Sequence, residues 1–141
     1  MVKLSINPLF QIYKFIYMEA KSRPELFLSK ANSKEEIFQN EILRPILKLQ
    51  HDLIITLAQE FLRSRNVTWE KVKEKDPFQW LNLNIKRDIP IKNQLIGMVI
   101  GQFSKNELDE YLTFQKEMNK RIINMMTERI VSHYVIPINK F

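Results

Sequence analysis

The chain has 141 residues, the length of one ordinary domain, and folding should bury about two-thirds of the surface that the unfolded chain exposes. It contains no cysteine, which excludes disulfides, thiolate catalysis, iron–sulfur clusters and cysteine-ligated zinc and fits a cytoplasmic location. The net charge of +6 comes from basic residues scattered along both halves of the chain. Such scatter favours a solvated surface over a nucleic-acid site.

Glycine usage indicates the fold class. The chain contains only 2 glycines, whereas β-sandwiches and doubly wound sheets need glycine at many turns. Helix-start signals, by contrast, are frequent. We therefore predict a single all-α domain over residues 1–141, a helical bundle with two long helices, the first kinked at Pro45, and several shorter ones.

The N-terminal region is strongly apolar. It resembles a secretion signal, but Pro8 and Lys14 interrupt the run and no small-residue cleavage site follows. We expect a helix over residues 8–21 and an N-terminal arm or helix, residues 1–32, that packs on the bundle. One helix cannot bury all its apolar residues on a single side, so a second copy of the chain is expected to cover the remainder as a homodimer. These residues are Leu9, Phe10, Ile12, Tyr13, Phe15, Ile16 and Tyr17.

Capping signals define the later elements. A serine followed three residues later by glutamate occurs at Ser33 and at Ser104, and Asp76-Pro77 pairs a cap with a proline suited to the first helical turn. The predicted helices are 34–64, 68–74, 77–87, 90–102 and 105–134, with an irregular or extended tail at 135–141. The most apolar later stretch, residues 95–101, is too short to cross a membrane.

Pro45 interrupts the first long helix. It lacks the N–H that would bond to the carbonyl of Glu41, so the helix should bend or restart there. We interpret the proline as a kink that wraps the helix around its core, and a functional hinge is the alternative.

Several polar residues fall within the apolar arcs of these helices on a wheel of 100° per residue. The apolar arc of the first long helix is formed by Ile42, Leu43, Ile46, Leu49, Leu53, Leu57 and Phe61. Gln50 falls inside this arc, whereas His51 and Asp52 fall outside it and are predicted to mark its exposed edge. A buried amide without partners costs about 1–3 kcal/mol, so we expect Gln50 to meet the amides of other helices. The candidate binding residues are Gln50, Gln102, Gln115, Asn119, Arg129 and His133.

This polar set has two interpretations. It forms either a hydrogen-bond network that sets the helix register, in which Gln50 contacts Gln102, Gln115 or Asn119, or a polar pocket for a small molecule between helices. No catalytic residue or cofactor is predicted. No divalent metal is expected either, because the two histidines share no helix face and no metal-ligand spacing occurs.

Three stretches resemble a known family. "NEILRPILKLQHDL", "IKNQLIGMVIGQFSKNELDEY" and "MNKRIINMMTERI" are similar to a family of short, uncharacterised bacterial helical proteins commonly labelled glyoxalase. The resemblance covers roughly residues 36–129 and implies a small cytoplasmic helical protein, with no catalytic residue carried over. The label itself does not fit, since the metal-dependent glyoxalase fold uses βαβββ units with His and Glu ligands.

The sequence therefore leaves three functions open. The first is a helical binding or interaction module without catalytic chemistry. The second is an enzyme that binds a small metabolite in the polar pocket. The third is a weak nucleic-acid binder that uses the basic stretch Arg63, Arg65, Lys71, Lys73 and Lys75.

Overall fold

The computed structural model describes residues 8–9 and 33–135, with the side chain of Val135 excepted. Pro8 and Leu9 are helical. The remainder of the predicted arm 1–32, and residues 136–141 of the predicted tail, lie outside the described residues.

The predicted all-α class is confirmed, because every regular element of the described residues is a helix and none is a strand. No helix among them is both long and apolar enough to span a bilayer. The elements are α1 (Lys34–Phe38), a π-helical turn (Gln39–Leu43), α2 (Arg44–Leu49), α3 (His51–Ser64), α4 (Trp69–Lys73), α5 (Pro77–Arg87), α6 (Ile89–Ile100), α7 (Lys105–Thr113) and α8 (Gln115–Val135).

Side-chain caps start most of these helices, as the sequence indicates. Ser104 and Glu107 form a complete capping box at α7, and the Ser33 hydroxyl accepts the Glu36 N–H at α1. Asp76 caps α5, whose first residue is a proline, and Asp88 caps α6 by accepting the N–H of its third residue. These bonds satisfy amides that have no partner inside a helix, so the local sequence places the helix starts.

The first predicted long helix is divided at two points. A π-helical turn ends at Leu43, two residues before Pro45, and the Arg44 N–H bonds to the carbonyl of Gln39 instead of Asn40. Such a turn is a recognised origin of helix kinks. Gln50 then leaves the helical region, with φ −95° and ψ 11°, and α3 begins after it.

These interruptions change which residues face the core. Leu49 and Leu53, predicted within the apolar arc, are 36% and 59% exposed. Leu47 and Ile54 are buried in their place. The prediction was wrong for the two exposed leucines. A helical wheel assumes a rotation of 100° at every residue, whereas the π-helical turn and the break at Gln50 change this rotation, so the residues that follow point in other directions.

The last predicted long helix is also divided. Phe114 has φ −139° and ψ 40°, which ends α7 and starts α8 at Gln115. α8 is the central helix and packs against α3, α5, α6 and α7. Its buried side chains, Met118, Ile122, Ile123, Met126 and Ile130, form the middle of the hydrophobic core.

Candidate functional site

The packing of α3 on α8 gathers three basic side chains into one cluster. His51 is the first residue of α3, and Arg129 and His133 lie one turn apart on α8. His51 Nε2 lies 3.3 Å from His133 Nδ1, and Arg129 Nη1 lies 3.2 Å from His51 Nδ1. All three residues are half-buried. We call them the His–Arg cluster.

The bonding pattern determines the tautomers. A guanidinium can only donate, so His51 Nδ1 accepts from Arg129 and carries no proton. Neutral His51 then bears its proton on Nε2 and donates it to His133 Nδ1. The hydrogen bonds therefore run in one direction, from Arg129 through His51 to His133, and leave the Nε2–H of neutral His133 as the outer donor.

Burial and nearby charge favour the neutral form of His51. Burial lowers the pKa of His51, and the nearby Arg129 and His133 lower it further, against an opposing effect of Asp52. Burial, followed by the charge of Arg44, likewise lowers the pKa of Arg129, although a guanidinium stays protonated in proteins. The cluster is thus electropositive and only partly hydrated.

Arg129 has no ion-pair partner among the described residues. Their ion pairs join Arg63 to Glu60, Arg65 to Asp88, Lys105 to Asp109 and Arg121 to Glu117. A half-buried guanidinium usually has a carboxylate beside it. Here its hydrogen-bond partner is a neutral imidazole, which compensates none of its charge.

The predicted surface position of His51 needs correction, and Asp52 is exposed as expected. The wheel placed the two histidines on separate faces of separate helices, yet the tertiary packing brings them into contact. Within residues 33–135, no group of three or more His, Cys, Asp or Glu side chains lies in a metal-binding arrangement.

Gln50 is buried, as predicted, but its predicted partners are wrong. Its Nε2 donates to the main-chain oxygen of Met98 at 3.0 Å, and its Oε1 has no hydrogen-bond partner among the described residues. The N–H groups that follow α6 bond to the carbonyls of Gly97, Val99 and Ile100. Gln50 therefore caps the last turn of α6, where helix carbonyls lack partners.

The other predicted residues do not form one network. Asn119 is half-buried and accepts a hydrogen bond from the Tyr111 hydroxyl, across the break between α7 and α8. Gln115 is exposed at the start of α8 and also interacts with that hydroxyl, and Gln102 is half-buried at the end of α6. The structure therefore joins Arg129 and His133 to His51 and separates them from the amides.

Sequence reasoning missed a second polar group in the core. Asn82 of α5 donates through Nδ2 to Asn124 Oδ1 and to Thr127 Oγ1, each at 3.1 Å. Thr127 in turn donates to the carbonyl of Ile123 at 2.8 Å. Asn82 follows Phe78 by four residues and precedes Ile85 by three, a helix-face spacing that could have revealed it. This group holds α5 on α8.

The basic stretch predicted for nucleic acid is partly neutralised. Arg63 is paired with Glu60 and Arg65 with Asp88, so two of its cations already have carboxylate partners. Lys71, Lys73 and Lys75 are exposed on and after α4.

Comparisons with protein-family models, curated proteins and solved structures found no significant match. The resemblance to the glyoxalase-labelled family therefore stays a prediction from the sequence.

Proposed function

We propose that this protein is a helical binding module that takes a small oxyanion, a carboxylate or a phosphate group, at the His–Arg cluster without catalytic chemistry of its own. The main support for this proposal is that Arg129 has a half-buried guanidinium that no described carboxylate neutralises. A bound oxyanion would supply the missing negative charge. Arg binds carboxylate and phosphate through paired N–H donors, which adds specificity to the charge attraction.

His51 makes this binding dependent on pH. Without ligand, burial and the charge of Arg129 lower the pKa of His51 and favour its neutral form. An adjacent anion reverses the electrostatic balance, because an opposite charge favours the protonated imidazole. Binding should therefore take up protons, and affinity should increase as the pH falls through the usual histidine range.

Isothermal titration calorimetry tests the proposal with succinate and inorganic phosphate as probes, at about pH 7.5 and about pH 5.5. We expect binding that is tighter at the lower pH and that weakens at least about 10-fold in Arg129→Gln, equivalent to about 1.4 kcal/mol. Arg87→Gln is the matched control, because Arg87 is exposed and has no ion pair among the described residues. Equal affinities of the Arg129 and control variants would refute the assignment.

The two alternatives from the sequence have separate tests. A metabolite-binding enzyme of the glyoxalase-labelled family would use the same cluster, and turnover of a bound acid, seen by NMR, would favour it. A nucleic-acid binder would lose affinity steeply with salt. The pairing of Arg63 and Arg65 leaves the basic stretch with fewer available charges than its sequence suggests.

The proposed assembly is a homodimer. Residues 10–17 of the apolar run lie outside the described residues, but Leu53 on α3 is 59% exposed and adds apolar surface for a second subunit. Light scattering should return twice the chain mass of 17.0 kDa. Leu53→Glu should favour the monomer, whereas Leu83→Glu on α5 is a control at another exposed leucine. A monomeric native protein at micromolar concentration would reject the dimer.

A further inference from the structure

A second basic site lies where α5, α6 and the first half of α8 meet. A half-open cavity of about 580 Å³ is bordered by four lysines, Lys86, Lys92, Lys116 and Lys120. Lys86 comes from the end of α5, Lys92 from the first turns of α6, and the other two lie one turn apart on α8. We call this the lysine cavity. It shares no residue with the His–Arg cluster.

No acidic residue that the structure describes compensates the charge of the four lysines. Glu117 is the only acidic residue among the described ones that line it, and it already pairs with Arg121 at 3.0 Å. None of the four lysines forms an ion pair with a described residue. Four ammonium groups around one cavity attract a ligand that carries several negative charges.

Polar and apolar groups complete the lining. Asn119 contributes an amide whose oxygen already accepts the Tyr111 hydroxyl, which leaves its N–H₂ group to donate. Ile123, which is buried, supplies an apolar surface. The cavity volume is within the range of about 300–1,000 Å³ that is usual for small-molecule sites.

We infer that the lysine cavity binds a small molecule that carries a diphosphate or triphosphate group. Lysine is a common phosphate ligand because its compact ammonium group presents three rotatable donors. Several lysines from three different helices converge on one recess, which suits a compact polyanion. A nucleic-acid strand would instead need positive charge extended along a surface groove.

Calorimetry with tripolyphosphate and ATP at about 50 mM salt tests this inference. We expect saturable binding of both, weakened at least about 10-fold in Lys116→Gln/Lys120→Gln. The control is Lys71→Gln/Lys73→Gln, which removes the same charge from exposed lysines of α4 and should change affinity less than about 2-fold. No binding of either probe, or equal losses in both double variants, would overturn the site.

Two further measurements identify the ligand and separate this site from the His–Arg cluster. Tighter binding of ATP than of tripolyphosphate would assign a nucleoside polyphosphate, and equal binding would assign the polyphosphate group alone. Stronger binding of a thymidine oligonucleotide with the same lysine dependence would overturn the inference in favour of nucleic acid. Arg129→Gln should leave the part of tripolyphosphate binding that depends on Lys116 and Lys120 unchanged. Lys116→Gln/Lys120→Gln should in turn leave succinate binding unchanged, so either proposal can fail without the other.

Discussion

His51 and His133 are in contact, with Nε2 of the first 3.3 Å from Nδ1 of the second, although 82 residues separate them in the chain. Their bond joins the start of α3 to the last turns of α8. It requires an unprotonated His133 Nδ1, just as the bond from Arg129 requires an unprotonated His51 Nδ1. The contact therefore belongs to the neutral histidines, and we expect the α3–α8 packing to be sensitive to acid.

The first prediction concerns pH and stability. The pKa of His51 is lowered in the folded protein by burial and by Arg129, so the unfolded chain binds more protons in the histidine range. The contribution of His51 to stability should be fully present above about pH 6.5 and should decrease as the pH falls through the lower folded-state pKa. Urea denaturation at about pH 7.5 and about pH 5.5 should show a larger loss in the native protein than in His51→Gln.

The double variant His51→Gln/His133→Gln is the control for that experiment, because the chain has only 2 histidines and this variant retains the carboxylates. The stability of this double variant depends on pH only through groups other than histidine. If the native protein and the double variant lose the same stability between the two pH values, the His–Arg cluster does not couple protons to folding.

The second prediction concerns Gln50. Replacement by leucine removes the donor to Met98 O but also removes a buried oxygen that no described residue bonds, so the net cost should be about 1 kcal/mol. Gln50→Glu should cost more at neutral pH, because a carboxylate cannot donate to a carbonyl and its charge would be buried. Chemical denaturation should show that the Gln50→Leu variant is more stable than the Gln50→Glu variant.

Acid offers a test of that explanation. A protonated glutamic acid regains one donor, so the difference between the Glu and Leu variants should decrease near pH 4. A glutamate variant as stable as the leucine variant at neutral pH would show that residue 50 does not cap α6.

The third prediction concerns the polar group between α5 and α8. Asn82 is only 8% exposed and its Nδ2 donates to both Asn124 and Thr127, so Asn82→Ala should cost about 1–3 kcal/mol. Asn93→Ala, at an exposed asparagine of α6, should change stability by less than about 0.5 kcal/mol. Similar urea midpoints for the two variants would contradict the assigned role of Asn82.

The fourth prediction concerns Tyr111, whose hydroxyl donates to Asn119 across the break between α7 and α8. Tyr111→Phe should cost about 1 kcal/mol through the loss of this bond. Burial raises the pKa of Tyr111 above its usual 10.0. We therefore titrate the native protein and the Tyr111→Phe variant with alkali and follow tyrosinate absorbance. The difference between the two curves should show one tyrosine that ionises at a higher pH than usual. A difference curve centred at or below the ordinary value would contradict this expectation.

Local sequence signals determined the all-α class and most helix starts. Ser33, Asp76 and Ser104 cap helices where the sequence predicts them, because a cap bonds to amides only two or three residues away. α5 has the predicted bounds, residues 77–87, since both its cap and its first-turn proline are local features. The burial of Gln50 also followed from its position among apolar neighbours.

The tertiary structure decided the phase of the helices and the composition of the candidate sites. Leu53 is exposed because the π-helical turn before Pro45 and the break at Gln50 rotate the following residues, an effect that a regular wheel omits. Arg129 and His133 share a helix face and could be grouped from the sequence, but their contact with His51 depends on how α3 crosses α8. The four lysines of the lysine cavity likewise come from three helices. Sequence spacing specifies neighbours within one helix, whereas contacts between helices depend on packing angles that no single segment encodes.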